Sequence, residues 1–164
     1  MRKLIGLVIV LGLALTLLSS PMVTASPEAV EELLPRLAKF EQAMETGDLE
    51  AFTDLFWHDE RLTVFWPEPE TAFRIDGWTQ MQGYLKGFTT FISQLPPGAF
   101  NLESRQPSIV VLEDVAIVTS YWVVTMLTPE GGSQVMQGRC TMVWKKIEGK
   151  WVIIHAHDSF FPTL

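Results

Sequence analysis

Cysteine is almost absent from this chain, and positive charge is scarce. With Cys140 as the single cysteine among 164 residues, no intrachain disulfide can form. The 12 Lys and Arg residues against 19 Asp and Glu residues give a formal net charge of -7, and such a surface repels nucleic acid and anionic lipid. The chain must therefore be held together by its apolar core, which 6 tryptophans and 10 phenylalanines supply.

The N-terminal segment has the pattern of an export signal. A basic start at residues 1–3 precedes an apolar run over residues 4–18, which is shorter than the roughly 20 residues of a membrane-spanning helix. Small residues suited to cleavage follow at positions 23–25. We therefore expect residues 1–25 to be a signal peptide and residues 26–164 to be one exported domain, periplasmic or secreted and free of the membrane after cleavage. The alternative is an uncleaved N-terminal anchor.

Three amphipathic helices are predicted in the first part of the domain. Apolar residues recur at helical spacing within residues 30–44, 49–56 and 81–92. Asp76 is expected to cap the third helix through its side chain. Between the second and third helices, residues 61–66 alternate with a period of two, which predicts a strand.

The second part of the domain is predicted to be all strand. Residues 108–112, 115–127, 133–147 and 150–160 form extended runs separated by short turns, which requires antiparallel neighbours. Helices that precede one antiparallel sheet indicate an α+β fold with the helices packed on one face. A sheet curved around three N-terminal helices leaves an internal cavity, so the sequence predicts a pocket.

Several segments resemble a known superfamily. They are residues 47–52 (Gly-Asp-Leu-Glu-Ala-Phe), 76–78 (Asp-Gly-Trp), 139–144 (Arg-Cys-Thr-Met-Val-Trp), 148–151 (Glu-Gly-Lys-Trp) and 155–159 (His-Ala-His-Asp-Ser). The chain resembles the nuclear transport factor 2-like superfamily. Within it, the chain is similar to the polyketide cyclase-like (SnoaL-like) subgroup, which is related to the association (hub) domain of calcium/calmodulin-dependent protein kinase II.

This resemblance carries expectations about architecture and site. It implies a cone-shaped, curved antiparallel sheet and a homodimer or higher homo-oligomer formed through the outer sheet face. It also implies a pocket at the wide end of the cone. In the hub domain an arginine from the matching strand lines a pocket that accepts small carboxylates, and the corresponding residue here is Arg139.

Arg139 has one functional and two structural interpretations. It shares a strand face with Gln137, Thr141 and Val143, and a buried arginine needs an anionic partner. We expect its guanidinium to point into the cavity and to bind an anionic ligand through two hydrogen bonds. The alternatives are a structural ion pair and exposure on the outer sheet face.

His155 and His157 are two residues apart and are predicted to share one face of the last strand. As metal ligands they would need at least one more partner, and His58 is the only other histidine, so we predict no metal site. As a general base or acid, either histidine suits proton transfer. The structural alternative is that a histidine hydrogen-bonds to the neighbouring strand.

Aromatic side chains, but not acidic ones, are predicted to complete the pocket. Trp66, at the end of its strand, is expected to line the pocket rim, whereas Trp122 and Trp144 are either core residues or part of a dimer surface. Asp158 alternates with His157 and is therefore expected to face away from the pocket. An isomerase-like set of buried acids and tyrosine is not evident.

The sequence thus favours a small-molecule-binding domain without a cofactor. The predicted ligand-binding residues are Arg139, His155, His157 and Trp66, and the predicted ligand is a small, partly apolar carboxylate or similar acceptor. One alternative is a cofactor-free isomerase, dehydratase or cyclase that uses His155 or His157 as general base. Another is a homo-oligomeric assembly module. A nucleic-acid partner is not expected.

Overall fold

The computed structural model describes residues 27–66, 73–128 and 131–161. The predicted signal peptide, residues 1–25, lies outside these residues. None of the helices in the described ranges combines the length and the apolarity that a membrane span requires.

Helices and strands follow one another in the predicted order, with one additional short strand, Phe73–Asp76, before the third helix. Three helices and six strands are present in the described ranges, and their bounds are α1 Pro27–Thr46, α2 Leu49–Leu55, β1 Thr63–Trp66, β2 Phe73–Asp76, α3 Gly77–Ser93, β3 Phe100–Leu112, β4 Val115–Leu127, β5 Ser133–Ile147 and β6 Lys150–Phe160.

Residues at the helix ends stabilise the start or the end of each helix through local conformation or hydrogen bonds. Gly47 has φ 65°, a left-handed conformation that ends α1, and the Asp48 carboxylate accepts a 2.9 Å hydrogen bond from Ala51 N to cap α2. Asp76 stands at the N-cap position of α3 but makes no side-chain cap hydrogen bond. Its carboxylate instead pairs with Arg74 at 2.6 Å, so the expectation of a side-chain cap at Asp76 is wrong.

The strands form one open sheet in the order β2-β1-β6-β5-β4-β3. The four long strands are a meander with antiparallel neighbours, as predicted, and β1 pairs in parallel with β6. β3 begins at Phe100, earlier than the predicted start at Ser108. A register shift between Arg105 and Ser108, beside Pro107, divides β3 into two halves. Because the shift interrupts the alternation of residues, the first half was not predicted from the sequence.

All three helices pack against one face of the sheet, which we call the inner face. Leu33 of α1, Phe52 of α2 and Trp144 of β5 are fully buried in this layer, and Phe40 meets Phe52 edge to face at 5.8 Å. Trp122 is also buried on the inner face, so Trp122 and Trp144 belong to the core and not to a dimer surface. The α+β prediction is confirmed.

A β-bulge in β6 decides which residues of the last strand face inward. Val143 pairs with His155 while Trp144 pairs with Ile153, so Ile154 is an extra residue. Trp151 and Ile153 are buried before the bulge, and Ala156 is buried after it. Because the extra residue reverses the alternation, the odd positions after it face outward.

Candidate functional site

A cavity of about 340 Å³ lies between the inner face of β3–β6 and helices α1 and α3. Its wall is mainly aromatic and sulfur-containing, with Trp66, Tyr84, Phe88, Trp122 and Phe160 among the lining residues. The volume falls at the small end of the roughly 300–1,000 Å³ that ligand pockets occupy.

Asp158 interrupts this apolar wall. It lies after the β6 bulge on the inner face, directly opposite Cys140 of β5. Burial raises the pKa of Asp158 to about 6, against a smaller opposing effect of the hydrogen bond with Cys140. Burial, together with the nearby Asp158 charge, raises the pKa of the Cys140 thiol well above its usual range. The thiol is therefore a neutral donor, and the carboxyl group titrates close to neutral pH.

The sequence prediction gave Asp158 the wrong face. Asp158 and His157 do lie on opposite faces of β6, as predicted. However, Asp158 faces the cavity and His157 faces away from it. The signal lay in β5, where Cys140, Met142 and Trp144 form an apolar row opposite the polar row of Arg139. The apolar row faces the core, and Asp158 pairs with a member of that row.

Arg139 does not lie in the cavity. It is exposed on the outer sheet face, where its guanidinium is 5.8 Å from the centre of the Phe161 ring. Its neighbours in the sheet are Tyr121 and Ser159. The expectation that its guanidinium points inward is therefore corrected to the alternative of outer-face exposure, because alternation along β5 reserves the inner face for Cys140 and Met142.

His155 and His157 share one face, as predicted, but it is the outer face. His155 Nδ1 lies 3.0 Å from Thr63 Oγ1 of the parallel strand β1, and burial lowers the pKa of His155, with a smaller opposing contribution from Thr63. His157 is exposed, and its ring is 5.4 Å from that of Phe65. His155 thus makes the contact expected of a structural histidine, a hydrogen bond to the neighbouring strand.

Metal-ligating side chains are dispersed in the described ranges. His58 stacks on Trp78 at 4.0 Å and lies far along the chain from the β6 histidines. No group of three His, Cys, Asp or Glu side chains with metal-binding geometry occurs in the part of the chain that the structure describes. The absence of a metal site remains a prediction.

Trp66 lies in the cavity wall at the end of β1, the position that the sequence suggested. Its ring is 5.2 Å from that of Tyr84 on α3, so the two aromatic groups join the sheet to the helix layer at this wall. Its contact with a ligand remains a prediction.

Trp122 owes its position in the wall to a glycine. A Cβ atom at Gly138 would clash with the backbone oxygen of Ser159 and would lie 2.5 Å from Cζ2 of Trp122. Gly138 thus lets the indole approach β5 closely, and the Nε1 of Trp122 is buried there without a hydrogen-bond partner.

The arrangement of helices, sheet and cavity has known counterparts. Residues 29–162 match the family model described as the calcium/calmodulin-dependent protein kinase II association domain. The chain belongs to this association-domain family. The resemblance noted in the sequence is therefore confirmed at the family level.

Individual relatives agree with the family match. The chain is 26% identical over 134 residues to the delta subunit of calcium/calmodulin-dependent protein kinase type II from Oryctolagus cuniculus, covering 82% of this chain and 24% of the relative. The chain thus spans about a quarter of that kinase subunit.

Solved structures establish the cone-like fold. A nuclear transport factor 2-like superfamily protein from Salmonella enterica serovar Typhimurium has a TM-score of 0.68 at 22% identity, covering 84% of this chain and 95% of that chain. A candidate dehydratase of the same fold family from Streptomyces avermitilis has a TM-score of 0.69 at 17% identity, with coverage of 84% and 100%. Both likenesses concern the fold of this association-domain protein.

Proposed function

We propose that this association-domain protein binds a small, partly apolar molecule in the cavity between sheet and helices. The observation that carries the proposal is a space of about 340 Å³ walled by aromatic and methionine side chains and interrupted by the carboxyl group of Asp158. A ligand that removes this wall from water gains hydrophobic free energy. The polar group fixes the ligand's orientation.

The proposed contacts differ in part from those suggested by the sequence. Trp66 keeps its role as an aromatic wall residue, and Asp158 takes the role of polar anchor. The anion-binding role of Arg139, His155 and His157 would require a second site on the outer sheet face, where all three lie.

A pair of tryptophan substitutions on β3 tests the cavity as the binding site. Ser104 lines the cavity, whereas Ser108 is exposed beyond the β3 register shift. Small molecules that raise the melting temperature of the wild-type protein should lose this effect in Ser104→Trp, which fills the space, and keep it in Ser108→Trp. Equal ligand stabilisation of both variants would contradict the proposal.

Export is part of the same proposal. The basic start, apolar run and small residues of positions 1–25 support a cleaved signal peptide that delivers residues 26–164 to the periplasm or the outside. Mass spectrometry of the protein recovered from its natural host tests this, since an intact N-terminus would contradict cleavage.

Self-association is a second candidate function, and the outer sheet face favours it. Val110, Leu112, Tyr121, Leu127 and Val135 lie on β3, β4 and β5 and are between 42% and 56% exposed. Large apolar patches on a protein surface mark interfaces. The matching family is named an association domain, which supports a homodimer or higher homo-oligomer. The exposed apolar residues are our reason for assigning the interface to the outer sheet face.

Light scattering on two matched variants tests the interface. Val135→Glu places a charge on the outer sheet face and should reduce the molar mass of the assembly. Leu34→Glu changes an equally apolar residue, 49% exposed on α1, and should leave the mass unchanged. A loss of mass in Leu34→Glu alone would assign association to the helical face.

Cofactor-free proton transfer is the alternative for the cavity. A carboxyl group whose pKa is raised to about 6 by burial is suited to accept a proton near neutral pH. The Streptomyces avermitilis protein of similar fold is a candidate dehydratase. Recovery of a chemically altered ligand after incubation with wild-type protein, and of unaltered ligand after incubation with Asp158→Asn, would favour this function over binding alone.

A further inference from the structure

We propose that the ligand of this cavity is an organic cation, with an ammonium group beside Asp158 and an apolar body against the aromatic wall. The inference rests on the proposed function and specifies its ligand class. The charge of this ligand is opposite to that of the carboxylate ligand predicted from the sequence.

The charges of the cavity wall support a cation. Among the described lining residues, Asp158 is the only one that carries a charge, and no Lys, Arg or His side chain accompanies it. An anionic ligand would meet this carboxylate in a medium of low dielectric constant, where like charges repel strongly. A cation would be attracted by the same carboxylate.

None of the Lys and Arg side chains in the described ranges lines the cavity. Lys86, on α3 between Tyr84 and Phe88, is exposed. Arg105 pairs with Glu103.

Arg36 and Lys39 of α1 both hydrogen-bond to the Asp54 carboxylate, at 2.6 and 2.7 Å. Lys150 of β6 also bonds to Asp54. Arg139 is on the outer sheet face. These side chains leave the wall carboxylate without a cationic partner among the described residues.

Asp158 is weakly satisfied where it lies. Its hydrogen-bond neighbour across the sheet is the Cys140 thiol, and a thiol is a weak donor. Burying an ionised carboxylate without a strong partner costs free energy, and an opposite charge recovers part of that cost. A ligand ammonium group supplies both the charge and N–H donors, or the charge alone if it is quaternary.

Aromatic rings surround the same space in contacting pairs. Trp66 and Tyr84 are 5.2 Å apart, and Trp122 and Phe160 are 5.4 Å apart. Phe160 is two residues from Asp158 on the same face of β6. Ring faces attract cations, and aromatic cages are the usual recognition device for alkylammonium groups. An acid set into an aromatic wall is therefore matched to an aryl- or alkylammonium ion.

Cation binding should depend on pH through Asp158. The titratable groups that share the described cavity wall with it are Cys140 on β5 and Tyr84 on α3, while α1, β3 and β4 contribute apolar and hydroxyl side chains. Because burial raises the pKa of Asp158 to about 6, protonation at lower pH removes the counter-charge. The affinity for a cation should therefore fall below about pH 6, and that for a neutral analogue should not.

Three probes with one carbon skeleton test the ligand class by calorimetry on the full domain. They are 3-phenylpropylamine, 3-phenylpropanol and 3-phenylpropionate. At about pH 7.5, where the Asp158 carboxyl is ionised, the amine should bind at least about tenfold more tightly than the alcohol, and the propionate most weakly. In Asp158→Asn the advantage of the amine over the alcohol should disappear.

Asp114→Asn is the matched control, since Asp114 is an exposed acid in the β3–β4 turn and its loss changes the net charge equally. It should keep the preference for the amine. Tighter or equal binding of the alcohol or the propionate in the wild type would overturn the cation assignment and leave the cavity as a binding site. A preference for the amine that survives in Asp158→Asn would also overturn it. Absence of binding by all three probes at millimolar concentration would count against the cavity itself.

Discussion

Cys140 and Asp158 lie directly opposite each other on β5 and β6, with the thiol hydrogen-bonded to the carboxyl group at the wall of an apolar cavity. Burial raises the pKa of both groups, so the thiol stays neutral and the carboxyl group titrates near pH 6. Such a carboxyl group is poorly solvated when ionised. Its ionisation in the folded protein therefore costs stability.

Asp158→Asn should stabilise the ligand-free protein at neutral pH. The pKa of Asp158 rises from 3.8 to about 6 on folding, so the folded state binds more protons between these values and the free energy of unfolding falls as pH rises through them. The variant should gain about 1–3 kcal/mol at pH 7 and nothing at about pH 4. Urea denaturation at the two pH values measures this. A loss of stability in the variant at both pH values would contradict it, and Asp114→Asn serves as the charge control.

Asp54 joins α1, α2 and β6 through three cations. Burial alone would raise its pKa, but hydrogen bonds from Lys150, Lys39 and Arg36 outweigh it and hold the pKa of Asp54 well below the usual 3.8. This contribution to stability is present above about pH 4 and is lost as pH falls further. Asp54→Asn should lower the free energy of unfolding by about 1–2 kcal/mol at pH 7. An unchanged urea midpoint would show that the three bonds offer no net stabilisation.

Gly138→Ala and Gly87→Ala should change stability in opposite directions. A Cβ at Gly138 meets Trp122 and the Ser159 backbone, so the variant should lose about 1–3 kcal/mol. A Cβ at Gly87, within α3, has no neighbour within 4 Å, and helix propensity should raise stability by about 0.5–1 kcal/mol. Thermal unfolding of both variants measures the difference. Similar melting temperatures would contradict the close packing of Trp122 on β5.

Arg139→Ala distinguishes the cavity from a site on the outer sheet face. Because Arg139 lies outside the cavity, a ligand that binds inside the cavity should raise the melting temperature of Arg139→Ala as much as that of the wild type. Trp66→Ala removes part of the cavity wall and should reduce the increase in melting temperature that the same ligand produces. A ligand whose effect is lost in Arg139→Ala and kept in Trp66→Ala would relocate binding to the outer face, as the sequence-based hypothesis for Arg139 requires.

Local patterns in the sequence accounted for most of the fold. Helical spacing placed α1, α2 and α3, and strand alternation with short turns placed the β4–β6 meander. These features depend on neighbours a few residues apart, so they can be read from the chain. The first half of β3 was missed because its alternation is interrupted at Pro107 by a register shift.

The sequence by itself determined most of the elements, the α+β order and which residues share a face: His155 and His157 lie on one face, and Asp158 lies on the other. Only the tertiary structure decided which of these faces is the inner one. The helices cover the apolar row of β5, and the bulge at Ile154 turns Asp158 toward that row and the histidines away from it. Alternation has a period of two and is symmetric between the faces, so a single extra residue exchanges inside and outside.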